Sequence, residues 1–455
     1  MLSFLMGEKL GDLARTLLVS LALVLGSSVL PTDAHAAPTV DATKADAVRA
    51  AYREYTKLAQ TAVGWTGSVA SCTPGTVSAA YQSAILRRVN LVRGMAGLEP
   101  VQFSTSYSAS AQAAALIMTA NDTLEHYPAA ESRCYSEAGA TAAGKSNLAI
   151  GWGPDALDVV PDPIQLYMDD YGYHNTAVGH RWWILRPETT TMGSGSTNNT
   201  NALWVIDESP RATAPQLTTW PVAGYFPSEW VPTSSRWSIQ ATGSARLGAA
   251  TVRVSGPTGE LATRVIYGAD DRLVWEMPPL PEVAGQGSTR YSVTVSGITG
   301  SGAPPTHSYS VDVIDGSWVD VYTTPGEHRV NDRDWRTTCE KYSSTQRCRT
   351  EIRATQIALV DGRYVQRTGW VFNNLTYLPS PRSIWTSNPL GGYGQVGYVK
   401  EWASEGRAWR TECDTTTSGR NGCRAYIRAT VIEVNPAGGY RSVSKWVFNN
   451  IVRFG

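Results

Sequence analysis

Between residues 78 and 208 apolar side chains recur at helical spacing, and beyond residue 216 they alternate at every second position. Ser78–Met95 places Tyr81, Ile85, Val89 and Val92 on one face, with Gly97 just past it as a stop signal. Thr105–Ala120 predicts a second, Ala-rich helix that runs out near Asn121. Shorter helices are predicted over Pro163–Tyr171 and Ala177–Leu185, because Pro163 suits a first helical turn and Pro187 an exit. A polar helical stretch near Asp41–Ala62 precedes these and is broken by Trp65-Thr66-Gly67 and Thr73-Pro74-Gly75. Ala202–Ile206 reads as a strand.

After Pro210 the period becomes two. Thr251–Val254, Leu273–Trp275, Tyr291–Val295 and Ser308–Val313 are short alternating runs separated by Gly, Pro and Ser clusters, with a hairpin loop at Thr299–Pro304. That pattern predicts an all-β, immunoglobulin-like sandwich over residues 211–315, serving as a spacer or packing module.

From residue 316 the chain repeats itself. Trp335-Arg-Thr-Thr-Cys339 matches Trp409-Arg-Thr-Glu-Cys413, Cys348–Thr355 matches Cys423–Thr430, and Trp370-Val-Phe-Asn-Asn374 matches Trp446-Val-Phe-Asn-Asn450. Three blocks in one order predict two small β modules, residues 316–388 and 389–455. The repeated tryptophans are expected in the cores of their modules. Arg349, Arg353, Arg424 and Arg428 are expected on a solvated strand face.

The chain has six cysteines, which can pair in 15 ways. Spacing reduces the choice: Cys339–Cys348 and Cys413–Cys423 are close pairs at matching places in the repeat, which leaves Cys72–Cys134. Zinc ligation by the close pairs would require CxxC spacing and a nearby His, and neither is there.

The formal net charge is zero, which argues against broad electrostatic binding to nucleic acid or anionic lipid. At the N-terminus Lys9 and Arg15 precede the apolar run Leu17–Leu25, and Ala34-His35-Ala36 offers small residues for a signal peptidase. Residues 1–36 are therefore expected to be a signal peptide, followed by a helical extension over residues 37–77. No later stretch is apolar enough to cross a bilayer. The mature protein is expected outside the cell, with disulfides to match.

The candidate chemistry is histidine. His126 follows the Ala-rich helix, and His180 opens the patch Gly179-His-Arg-Trp-Trp-Ile-Leu185. Convergent imidazoles suit a divalent metal or acid–base chemistry. Trp182 and Trp183 point about 100° apart on a helix, so at least one is expected in the core. His174 is expected to be a solvent-facing loop residue.

Ile85–Leu98, the Ala-rich helix before His126, Ser146-Asn-Leu-Ala149 and Gly179–Leu185 follow one another in the order of the CAP superfamily (cysteine-rich secretory proteins, antigen 5 and pathogenesis-related proteins), which residues 78–210 resemble. The architecture is similar to secreted, cell-wall-associated proteins of bacteria. The resemblance implies an α-β-α sandwich with a central antiparallel sheet, within an α+β chain. It also implies a cleft holding two histidines and two acidic residues. The histidines match His126 and His180. The first acidic position, in the family's Gly-Glu-Asn motif, falls on Ser146, next to Asn147. The second falls near Asp169 or Asp170.

Two imidazoles, one carboxylate and waters would suit Zn²⁺ or another divalent cation. The expected function is extracellular binding. The cleft would take a metal, a small ligand or a lipid, and the repeats would tether the chain to a cell surface or polysaccharide. One competitor is a metal-dependent hydrolase using His126, His180 and Asp170, with Ser146 as an alternative nucleophile. The other is an adhesin whose cleft is vestigial.

Overall fold

The computed structural model describes residues 39–151, 162–211 and 217–455. The expected signal peptide lies outside the described residues. Among the described residues six α-helices and four sheets make a mixed α+β fold.

The first sheet comprises β1 (Gln102–Phe103), β2 (Ser146–Ile150), β3 (Thr191–Ser196) and β4 (Thr200–Trp204), in the order β1-β3-β4-β2. The β2–β4 and β3–β4 pairs are antiparallel, whereas the two-residue β1 runs parallel to β3, a departure from the all-antiparallel expectation. Helices cover both faces, because alternate residues along a strand point to opposite sides. Leu148, Ala202 and Trp204 pack with α3 (Thr105–Asn121) and α4 (Glu137–Gly144). Ala149, Leu203 and Val205 pack toward α2 (Ala79–Met95), α5 (Pro163–Asp169) and α6 (Gly179–Ile184). Ser78 and Ser104 cap α2 and α3 by accepting from Tyr81 N and Tyr107 N.

β3, with the sequence Thr-Met-Gly-Ser-Gly-Ser, has little strand propensity of its own. Its glycines serve α3. A Cβ at Gly193 would strike the backbone at Tyr107 and Ser108, and one at Gly195 would strike the backbone at Gln112.

Residues 217–314 form a four-stranded sheet (264–269, 272–276, 236–241, 217–220) and a five-stranded sheet (224–227, 306–314, 288–296, 251–256, 259–260). Trp237 of the first meets Tyr291 of the second edge to face, at 6.2 Å between ring centroids. One apolar core runs from these sheets into α2, α5 and α6. The N-terminal helix α1 (Ala45–Ala59) is part of the same junction. Tyr52 and Tyr55 meet Trp230 edge-on, and Arg49 and Arg53 donate to the carbonyls of Asp315 and Trp318.

The two repeats contribute four strands each to one eight-stranded sheet, joined by parallel pairing of Leu375–Tyr377 with Asn450–Val452. The disulfides are Cys72–Cys134, Cys339–Cys348 and Cys413–Cys423. The repeat tryptophans depart from expectation. Trp335, Trp370, Trp409 and Trp446 are all half-buried. Arg336 lies over Trp370, Arg428 over Trp446, and Trp409 stacks on Trp402 at 5.2 Å. Arg349 and Arg424 lie over Phe372 and Phe448, so these strand-face arginines shield aromatic rings instead of standing free in solvent.

Candidate functional site

His126 and His180, on separate elements, line one cleft of about 460 Å³. α3 ends with Asp122 in the left-handed region, and the chain then turns so that Glu125 Oε1 accepts from Tyr127 N at 2.8 Å. His126 Nδ1 lies 2.8 Å from the carbonyl of Ala143, near the C-terminal end of α4. A carbonyl only accepts, so Nδ1 carries the hydrogen and Nε2 keeps its lone pair.

His180 is held in a similar way. α5 ends with Asp170 in the left-handed region, and its carboxylate turns back onto the start of α6. Oδ1 lies 2.8 Å from His180 Nδ1, and Oδ2 accepts from Arg181 N at 3.2 Å. The ring stacks on Tyr167 at 5.5 Å. Burial pushes the Tyr167 phenol well up, and its oxygen sits 2.9 Å from Asn201 Oδ1. Asn147 Nδ2 donates to the carbonyl of His180 at 3.0 Å. Both imidazoles are thus fixed through Nδ1, as outer-shell partners orient metal-ligating histidines.

The acidic candidates behave differently from each other. Asp170 is buried behind His180 and does not line the cleft. Asp169 also stays out of it: its carboxylate accepts from Thr233 N at 2.6 Å and Thr233 Oγ1 at 2.5 Å. Ser146 and Asn147 do line the cleft, and Ser146 Oγ is buried without a hydrogen-bond partner. His174, expected only in a solvent-facing loop, is exposed and also lines the cleft. Among the described residues the lining contains no carboxylate, and its lysine, Lys145, pairs with Glu208 at 2.7 Å.

These donors make only a partial metal site. Two Nε2 atoms are oriented, but among the described residues no group of three or more His, Cys, Asp or Glu is arranged to hold an ion. Structural zinc sites take four protein ligands and catalytic ones three. At most, a cation here would rest on two nitrogens and water.

The residues that sequence reasoning missed are those that brace the cleft from behind. Of the aromatic patch, Arg181 and Ile184 are buried while Trp182 and Trp183 are only half-buried. Arg181 Nε donates to the carbonyl of Met168 at 2.7 Å, Nη1 to that of Arg236 at 2.9 Å, and Nη2 to that of Asp169 at 3.0 Å. Burial lowers its pKa to about 10, with Asp170 and Asp169 opposing the shift. Arg236 in turn donates to the carbonyl of Gly172 at 2.7 Å, Arg272 to that of Ala177 at 2.8 Å, and Gln240 to that of Leu185 at 2.7 Å. The β domain therefore holds the loops that carry His174 and His180. A charged residue inside an aromatic helix was the only sequence signal of this contact.

Compared with models of known protein families, residues 86–207 match the cysteine-rich secretory protein family, CAP. No curated protein matches the chain. The matched segment is under a third of the chain and contains both cleft histidines, Ser146 and Asp170. Residues 86–207 are thus a CAP domain of the cysteine-rich secretory protein type.

Proposed function

We infer that this is an extracellular binding protein. Its cleft accepts a small ligand at His126 and His180, and its C-terminal repeats tether it to a cell surface or polymer. One observation carries the reading: two imidazoles from distant parts of the chain line one cleft, each fixed through Nδ1 and each with an Nε2 that makes no hydrogen bond among the described residues. Secretion is supported by the signal-like N-terminus and three disulfides. Among the described residues no helix is long and apolar enough to cross a membrane.

A hydrolytic reading has less support. Ser146 Oγ makes no hydrogen bond to either histidine among the described residues, so no hydrogen-bonded serine–histidine pair activates it. Asp170 is committed to His180 and Arg181 N.

Zn²⁺ serves as a probe of the two free nitrogens. Titration should show one site per chain by calorimetry, and alanine at both His126 and His180 should abolish it. Unchanged binding in that double variant would remove the site. For the tether, removal of residues 326–455 should release the protein from its cell surface. The cut falls after Trp318, because Arg49 stacks on that ring and Arg53 donates to its carbonyl. Retained attachment would refute the tethering role.

A further inference from the structure

Exposed aromatic rings are unusual on a soluble protein, and the two most exposed tyrosines among the described residues flank this cleft. Tyr127 is 83% exposed and Tyr173 is 87% exposed. Each stands beside a cleft histidine, with ring centroids 6.5 Å apart for Tyr127 and His126 and 5.2 Å apart for Tyr173 and His174. They lie on two loops, one after α3 and one after α5, and nothing among the described residues covers them. Large apolar surface left in water is the informative exception to burial.

The lining narrows what such rings would serve. Among the described residues no carboxylate lines the cleft and its lysine is already paired with Glu208, so the fixed charges there do not favour a charged ligand. Both fixed histidines carry an Nε2 that makes no hydrogen bond among the described residues. An aliphatic ligand would leave those groups without hydrogen bonds, at about 1–3 kcal/mol for each buried one. A ligand that suits both features has apolar C–H faces to lie on tyrosine rings and hydroxyls to meet the imidazoles.

We propose that the cleft binds an uncharged carbohydrate chain. Its sugar faces stack on Tyr127 and Tyr173, and its hydroxyls reach Nε2 of His126 and His180. The assignment rests on the reading of this cleft as a binding site and names its ligand class.

The test uses the full chain and three uncharged tetrasaccharides, chitotetraose, cellotetraose and maltotetraose, by calorimetry and saturation-transfer NMR. At least one should bind. Tyr127→Ala with Tyr173→Ala should weaken it ten-fold or more, whereas Tyr127→Phe with Tyr173→Phe should preserve it, since the ring and not the hydroxyl makes the stack. Both pairs of substitutions are on the surface and leave the fold intact. Failure of all three sugars to bind at millimolar concentration would overturn the assignment, as would affinity unchanged by the alanine pair. A chain that binds Zn²⁺ through both histidines yet ignores all three sugars keeps its binding site and loses only the ligand class. A chain that does neither loses both.

Discussion

Replacing Arg181 by Met tests how the CAP domain and the β domain are joined. The guanidinium is 1% exposed, and its donors reach the carbonyls of Met168, Asp169 and Arg236 and the hydroxyl of Ser238. Methionine fills a similar volume but leaves three buried carbonyls without donors, a gross cost of about 3–9 kcal/mol at 1–3 each. It also strips a cation from beside two buried carboxylates, Asp169 and Asp170. Against this, the desolvation of the guanidinium is recovered, which returns several kcal/mol. The net expectation is a loss of about 4 kcal/mol, in the range typical of breaking a buried charged network. Urea unfolding at neutral pH with disulfides intact, followed by tryptophan fluorescence, measures it. Arg181→Lys should lie between Met and wild type, because an ammonium keeps the charge but cannot form the planar fork. A loss below about 1 kcal/mol for Arg181→Met would refute the account of the junction.

Gly195→Ala should cost about 2–3 kcal/mol, because the methyl meets the backbone of α3, while Gly369→Ala, with open space around its Cβ, should be near neutral; urea midpoints separate the two. Loss of the Cys72–Cys134 bridge, which closes a separation of 62 residues, should cost about 4 kcal/mol on chain-entropy grounds, against about 2.5 kcal/mol for Cys413–Cys423 with a separation of 10; paired cysteine variants measured by denaturant unfolding would reverse that order if local packing dominated. Burial lowers the pKa of His307 below 6.5, so the unfolded chain binds its proton more readily. Stability should be full above pH 6.5 and fall as the pH drops through that value, and His307→Gln should flatten this part of the pH profile; an unaltered profile would show that another group sets it.

The sequence made most of the CAP helices legible, because their signals are local. Ser78, Ser104 and Pro163 mark starts, and the periodic apolar residues between Tyr81 and Val92 mark a buried face. Both cleft histidines could be placed from motif order, since each sits at a helix boundary that the sequence announces. The short α4 went unread, as did β3. Glu137–Gly144 is a run of small residues with no stripe, and β3 is a strand of Gly, Ser and Thr shaped by the helix above it. Asp169 and Asp170 are adjacent and indistinguishable in sequence. Only the left-handed turn at Asp170 sends one carboxylate to His180 and the other to Thr233. The bracing by Arg181, Arg236 and Arg272 was hidden because each bond ends on a backbone carbonyl, which no side-chain pattern encodes.

The central claim is that the two fixed imidazoles serve one bound ligand. Long-range ¹H–¹⁵N NMR of the histidine rings during a Zn²⁺ titration tests it most directly. The account predicts that His126 and His180 both start as the Nδ1-protonated tautomer and that both Nε2 resonances shift along a single isotherm. An Nε2-protonated ring at either position, or shifts that follow separate isotherms, would contradict it.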